Sequence, residues 1–455
     1  MEMVLEFLRD VLSQPALLIG IMSCIGLIAL KRPFHKVMTG TLKPILGYLM
    51  LAAGAGVIVN NLDPLGKMIE HGFHITGVVP NNEAIVAVAQ KVLGVETMSI
   101  LVVGLLMNLL IARFTKFKYV FLTGHHSLFM ACLMSAVLGT AGLSGMELIL
   151  VGGFLMGAWS AISPAIGQSY TSKVTEGDEI AIGHFGSLGY YLSAWVAKYV
   201  GKADDSTEDI EIPEKWGFLR DSTLSTALTM IVFYLIAAFA AGSEFVATLS
   251  GDMSPYLYAV MSAMNFAVGV TIVYSGVRMI LGDLIPAFQG IATKIIPNAI
   301  PAVDCAVFFT YAPTAVVLGF ISSFIGGIIG MLILGAVGGV LIIPGLVPHF
   351  FCGATAGIYG NATGGRRGAA VGAFLNGLAI TFLPALALPV LGQLGFQNTT
   401  FGDADFAVMG LVLGHAFEWI GMAGIYGIVA IAALVLIIPN FIKTKGKVIN
   451  YVEEE

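Results

Sequence analysis

The sequence predicts an all-α polytopic membrane protein with about eleven transmembrane helices, inverted repeats and re-entrant hairpins. Three observations carry that prediction. Of the 455 residues, 57% are hydrophobic and only 11% are charged, where ordinary soluble domains carry roughly 25%; the mean hydropathy is +0.90. Apolar runs recur along the chain at lengths that match a bilayer core. Prolines and glycines interrupt several of these runs, and a bilayer tolerates broken backbone only where protein or a wet cavity satisfies the freed N–H and C=O groups. The 56 glycines suit close helix packing and interrupted helices better than a water-soluble core.

Met1 to Asp10 lacks the basic stretch and small-residue cleavage site of a signal peptide, so the first apolar run is expected to remain as a span. Apolar runs near 14–30, 41–60, 92–112, 127–141, 147–167, 224–243, 257–275, 318–343, 369–391 and 415–439 are each long enough, or nearly so, to cross. Broken runs at 181–200, 280–316 and 345–360 read as further spans or re-entrant segments. Basic residues gather at Lys31 to Lys36, Arg113 to Lys118, Lys173 to Arg220 and Lys443 to Lys447. By the positive-inside rule these are cytoplasmic. Connectors holding Asp63 and Glu70, Glu147, Glu244 and Asp252, and Asp403 and Asp405 are then external. The N-terminus falls outside and the C-terminus inside, which needs an odd span count.

The expected organisation is a first transmembrane repeat over 1–170, a hydrophilic cytoplasmic linker with a re-entrant or amphipathic part over 171–223, a second repeat and last span over 224–440, and a cytoplasmic tail over 441–455. Lys43-Pro-Ile-Leu-Gly47 and Arg278-Met-Ile-Leu-Gly282 echo one another ahead of proline-broken regions. Separated by an odd number of spans, such repeats would be inverted.

No phosphate loop, dinucleotide fingerprint or zinc signature is present, so the chain does not energise transport by hydrolysing ATP, and no cofactor, metal or nucleic-acid partner is implied. Cys24, Cys132, Cys305 and Cys352 are scattered without ligand spacing and read as small apolar packing residues.

Asp304 is the most informative residue. It lies in the apolar run Ile296 to Phe320, broken by prolines at 297, 301 and 313. An acid at membrane depth costs several kcal/mol, order of magnitude, unless it meets a partner, water or a ligand. A substrate site is the favoured reading; the alternative is a structural ion pair, with Arg278 a conceivable partner. His184, in the glycine-rich Ala181 to Tyr190 stretch, reads as the tip of a re-entrant hairpin and a site residue. His125 and His126 sit at the entrance of an apolar run, either as interfacial histidines or as substrate ligands. Asn81, Asn82 and Glu83 follow a proline and read as an outer loop, with a site as the alternative. Thr355 and the backbone of Pro344 to Asn361 can line a cavity. Arg366-Arg367 reads as a positive-inside anchor, or as a contact for a phosphorylated partner. His415 and Glu418 share a helix face; a hydrogen bond is favoured over a metal pair.

Phe121-Leu-Thr-Gly-His125, Ala181-Ile-Gly-His184, Ile296 to Ala306 with Ala312-Pro-Thr-Ala-Val-Val317, and Pro344 to Pro348 with Ala354-Thr355 resemble, in family order, the ascorbate-type enzyme IIC of the bacterial phosphotransferase system. Pro301-Ala-Val-Asp-Cys-Ala306 is the most specific element. The resemblance implies a homodimeric permease with about eleven spans, two inverted repeats, a core domain and a dimerising domain interleaved across the repeats, and a sugar site between those domains. By motif the implied ligands are His125, His184, Asp304, Ala354 and Thr355, with Ala55 in the Gly54-Ala55-Gly56 turn and Asn81. Where the family's ascorbate transporters carry two glutamines, this chain has Phe129 and Phe185. An aromatic face can stack on a sugar's C–H surface but cannot replace an amide's hydrogen bonds.

The resemblance further implies that a phosphocysteine on a separate enzyme IIB, itself loaded by enzyme IIA, phosphorylates the bound sugar. The short tail after Lys443 leads us to expect IIA and IIB on other polypeptides. Asp304 is the first candidate for the base that takes the hydroxyl proton and His184 the second. L-Ascorbate is favoured over another pentitol, pentose or sugar acid. The rival readings are an ion-coupled secondary transporter of a sugar or carboxylate, with Asp304 as its proton or cation site, and a sensing receptor on the same scaffold.

Overall fold

The computed structural model describes residues 15–73, 77–177, 180–209, 222–269, 299–309, 311–392 and 399–441, with isolated positions at 218 and between 271 and 296. Arg278 and most of the proline-broken stretch before residue 299, the expected re-entrant block, lie outside the described residues, as does the tail beyond residue 441.

Helices dominate, as apolar composition requires in lipid, where a helix satisfies its own backbone. The first, α1 (Pro15–Ala29), begins on a proline, the residue whose missing N–H costs nothing at a helix start. It closes on Lys31 at φ 53, with Lys31 N–H bonded to Ile28 O and Arg32 N–H to Leu27 O. This wrap satisfies the last carbonyls, and Pro33 prevents continuation. Then follow α2 (Phe34–Phe73), α3 (Asn82–Phe114), α4 (Gly124–Thr140), α5 (Gly145–Thr175), α6 (Ser187–Val200), α7 (Ser222–Ala241) and α8 (Ser243–Ser250). After a helical stretch at 255–269 come α9 (Cys305–Phe308), α10 (Pro313–Ala336), α11 (Leu346–Gly392), α12 (Ala404–Ile420) and α13 (Met422–Ile437).

Six described helices are long and apolar enough to cross a membrane, or seven if the pair Met230–Ala241 and Ser243–Ser250, bent by 117°, counts as one span. This is a multi-pass membrane protein. The longest helix, α11, has 47 residues and breaks at Gly364 and Gly365. Gly365 takes φ 59, a backbone state that a side chain resists. The break folds the chain back on itself, so that a Cβ on Gly360 would lie 2.8 Å from the carbonyl carbon of Gly368. Two legs, 346–363 and 366–392, therefore stand where one helix of roughly 70 Å would overshoot a core of about 30 Å.

Glycine also lets helices touch. A Cβ on Gly319 of α10 would sit 2.5 Å from Gly353 O and 2.8 Å from Gly357 Cα on α11, the small-residue contact expected where lipid supplies no hydrophobic drive between helices. The buried leg of α11 also packs on α6, and α3 packs on α4 and α5.

Among the described residues six short strands lie between the helices, which the all-α expectation did not include. They are β1 (Gly77–Pro80), β2 (Tyr119–Phe121), β3 (Ala181–Ile182), β4 (Ile300–Val303), β5 (Leu341–Ile342) and β6 (Thr399–Thr400). They form two three-stranded parallel sheets in the orders β5-β1-β6 and β2-β4-β3. The exchange is reciprocal. The central strand of each sheet comes from one half of the chain and both edges come from the other. Pro301 tolerates a central strand because of register: Ile300 N–H and Ala302 O bond toward β2, so the N–H that Pro301 lacks would have faced a point before β3 begins.

Three sequence expectations change. Residues 180–209 of the expected linker are built into the fold through β3 and α6, and the boundary at residue 170 falls inside α5. The hydrophilic part is pinned: Thr207 N–H bonds Asn361 Oδ1 at 2.8 Å, Arg366 Nε bonds Ser206 O at 2.9 Å, and Glu208 Oε1 accepts Thr314 and Ala315 N–H, both at 3.1 Å, at the start of α10. Asn81 and Asn82 are not an outer loop but buried residues behind β1. Asp403 and Asp405 are not solvated connectors either. Both are buried, because each carboxylate has donors waiting for it in the interior.

Candidate functional site

In a parallel sheet every strand delivers its following loop to the same end, so three distant segments can converge without sequence proximity. The sheet β2-β4-β3 does this with Leu122 to His126, Gly183-His184 and Asp304. Leu122 N–H continues the ladder to Ala302 O at 2.9 Å and Gly183 N–H to Val303 O at 2.7 Å, so each loop leaves its strand on a fixed vector. A Cβ on Gly183 would lie 2.6 Å from the Ala302 carbonyl carbon, which explains glycine before His184.

The imidazole of His125, in the first turn of α4, reaches Asp304: Nε2 to Oδ2 is 3.1 Å. Both side chains keep part of their surface exposed, 20% and 29%, so a ligand can reach them. His126 is buried beside them. Its Nδ1 accepts the Phe185 N–H at 3.3 Å, its ring lies 3.7 Å from that of His184, and it stacks parallel to Phe406 at 5.7 Å. A ring nitrogen of His184, a carboxylate oxygen of Asp304 and the sulfur of Cys305 lie within 4.8 Å of one another. Cys305, first residue of α9, is within hydrogen-bonding reach of both Asp304 and Thr355. This brings the first leg of α11, with buried Ala354 and Thr355, to the same place; Thr355 Oγ1 also donates to Phe351 O at 2.7 Å.

Four of the residues singled out by sequence thus gather at one point, His125, His184, Asp304 and Thr355, with buried Ala354 next to Thr355 in the chain. Phe129 and Phe185 lie beside them as buried rings. Phe185 stacks on Phe121 at 4.5 Å, and Phe129 meets His125 and His126 edge-on at 5.9 and 5.7 Å. Asn81 belongs to the other sheet, where its N–H bonds Thr400 O at 2.8 Å. Ala55 lies within α2, and its side chain falls outside the described ones. His415 and Glu418 bond each other along α12 at 2.8 Å.

Sequence reasoning missed a polar layer behind the site. Asp405 accepts the Leu188 N–H at 2.9 Å, the Ser187 hydroxyl at 2.9 Å and Trp159 Nε1 at 3.2 Å, capping α6 directly after His184. Asp403 accepts Asn82 Nδ2 at 2.6 Å and the Cys352 thiol at 2.6 Å. Tyr190 Oη stands 2.7 Å from His184 Nδ1 and 3.5 Å from Cys352 Sγ. The local signal is weak: Asp403 follows Thr-Thr-Phe-Gly after β6, as Asp304 follows β4, but Gln397, Asn398 and Asp405 make the stretch read as a polar connector.

Imidazoles, a carboxylate and a hydroxyl set around a partly open point offer a mixture of donors and acceptors, the complement of a small molecule rich in hydroxyl groups. Residues 10–405 match the family model described as PTS system sugar-specific permease component, EIIC-GAT. Among curated proteins, the ascorbate-specific PTS system EIIC component of Mycoplasma pneumoniae is 28% identical over 417 aligned residues, which cover 78% of this chain and 62% of that relative. The chain therefore spans less than two thirds of that relative's length. With the family match running through every strand and every residue of the site, the chain belongs to the EIIC-GAT family of PTS system sugar-specific permease components.

Proposed function

We propose that this chain is the sugar-translocating subunit of a phosphotransferase system, taking up L-ascorbate or a related sugar acid or sugar, which a separate phosphorylated enzyme IIB modifies on the cytoplasmic side. The observation that carries this reading is the convergence of His125, His184 and Asp304 at the ends of three parallel strands, with Thr355 alongside. The ascorbate specificity of the Mycoplasma relative favours that substrate.

In the proposed reaction a sugar hydroxyl attacks the phosphorus of a phosphocysteine. The new O–P bond forms as the S–P bond breaks, the thiolate leaves on enzyme IIB, and the hydroxyl proton passes to Asp304. His125, whose Nε2–H donates to Asp304 Oδ2, orients that carboxylate. The work of the chain is positioning and exclusion of water, which is most of what phosphoryl transfer asks of a protein.

The reciprocal exchange of strands supports two structural repeats, inverted in the membrane, with about eleven spans in all. A homodimer, a core domain moving against a dimer scaffold, an external N-terminus and a cytoplasmic C-terminus complete the reading.

The test is uptake of labelled L-ascorbate into vesicles, with and without phosphoenolpyruvate and the soluble phosphotransferase proteins, followed by chromatography of the internal label. Phosphorylated ascorbate inside supports the proposal. Free ascorbate driven by an ion gradient replaces it with a secondary carrier, and no uptake moves the assay to a panel of sugars.

A further inference from the structure

We propose that Tyr190 is a positioning residue that fixes the tautomer of His184, so that His184 presents an Nε2–H donor to the bound sugar and does not act as the base. The inference rests on the reading of the site as a sugar site and assigns one of its members a definite role.

The argument starts from a backbone group whose direction is not in question. Gly186 N–H points at His184 Nδ1 over 3.1 Å. A backbone amide only donates, so it disfavours a proton on Nδ1, which would face another N–H, and leaves a nearer donor to complete the choice of tautomer. Tyr190 Oη lies 2.7 Å from the same nitrogen and 3.5 Å from Cys352 Sγ. The phenol has one proton, and the nearer imidazole lone pair is the stronger acceptor. The sulfur cannot supply a competing donor, because its S–H goes to Asp403 Oδ1 at 2.6 Å, and Asp403 Oδ2 is held in turn by Asn82 at 2.6 Å. Every hydrogen in the sequence Asn82, Asp403, Cys352, Tyr190, His184 thus has an assigned direction. Nδ1 accepts, and the ring's proton resides on Nε2.

All these groups are buried, so no bulk water stands ready to replace a lost donor. With both ring nitrogens committed, His184 binds a sugar oxygen and Asp304 is left as the proton acceptor of the site.

The experiment uses the full chain in lipid nanodiscs with nitrogen-15 histidine, the His184 signals being assigned by their loss in His184→Gln. The wild type is expected to show Nδ1 unprotonated and Nε2 protonated. In Tyr190→Phe both tautomers should appear and the Kd for L-ascorbate should weaken roughly five- to thirtyfold, with a smaller change in kcat. His184→Gln, whose amide nitrogen takes the place of Nε2, should keep measurable phosphorylation; His184→Asn, whose amide overlays Nδ1, should not. A wild-type His184 protonated on Nδ1, or a Tyr190→Phe variant with unchanged tautomer and Kd, overturns the proposal. The spectrum of the wild type decides the tautomer even where Tyr190→Phe fails to fold. It also needs no sugar, so absent ascorbate binding beside the expected spectrum rejects the substrate and not the tautomer.

Discussion

The backbone N–H of Asp405 donates to the carbonyl of Phe185 at 3.0 Å, and the Asp405 carboxylate then takes up the donors that follow, Ser187 and Leu188. A residue from the far end of the chain therefore clamps both sides of the turn that carries His184. Asp405→Ala should leave three donors unanswered, the buried Ser187 hydroxyl and the half-buried Leu188 N–H and Trp159 indole, and lower stability by about 2–3 kcal/mol, read as a fall in melting temperature of the purified protein. Sugar affinity should drop in parallel, because the clamp sets the position of His184. A variant that melts normally and binds normally would show the clamp to be redundant.

Asp304→Asn keeps the shape of the side chain and its contact with His125 but removes the charge. Phosphorylation of the sugar should fall by roughly a hundredfold or more, the usual contribution of a positioned general base, while the Kd for sugar changes far less. Single-turnover transfer from phosphorylated enzyme IIB is the decisive measurement. A normal rate would end the role of Asp304 as base.

Phe185 stands where the family's ascorbate transporters carry glutamine, and restoring the amide tests whether this chain has repacked around the ring. Its side chain is wholly buried against Phe121, His126 and Phe406. Phe185→Gln should cost about 3 kcal/mol through lost packing and a buried amide without assured partners. We expect lower thermal stability and no gain in ascorbate affinity; calorimetric titration of the variant checks both.

Gly319→Ala probes the contact between α10 and α11. The added methyl meets backbone on both Gly353 and Gly357, which cannot rotate away, so a loss of about 1–3 kcal/mol is expected. At Gly427 of α13 an added Cβ would meet nothing within 4 Å. The equivalent change there, Gly427→Ala, should alter the melting temperature much less.

The helical character of the chain was legible, and Asp304 stood out, because both are local signals; His125, Ala354 and Thr355 were named as ligands through the resemblance to a family. Bilayer length and broken apolar runs announce themselves within a short window, and an acid such as Asp304 stands out against its apolar neighbours. What the sequence hid is non-local. Strands of two to four residues show no periodicity, and β1 gains its partners only through β5 and β6, far along the chain. Asp403 and Asp405 look like solvated connector residues until Asn82, Cys352 and Leu188 are seen to meet them. Tyr190 and Cys352 carry no local mark at all, since a tyrosine and a cysteine in an apolar stretch pack well without any polar task.

The strand exchange also bears on how the protein is made. β1 is synthesised early, yet both its neighbours, at Leu341–Ile342 and Thr399–Thr400, arrive only in the last third of translation. Until then its hydrogen-bonding edges wait for the strands they pair with, and contacts between such distant segments form slowly. The nascent chain must therefore wait, membrane-inserted but unfinished, with Asn82 lacking its aspartate and His184 its clamp. A chain ending before residue 399 would hold β2, β3 and β4 but lack Asp403 and Asp405, so the turn that carries His184 would be without its clamp.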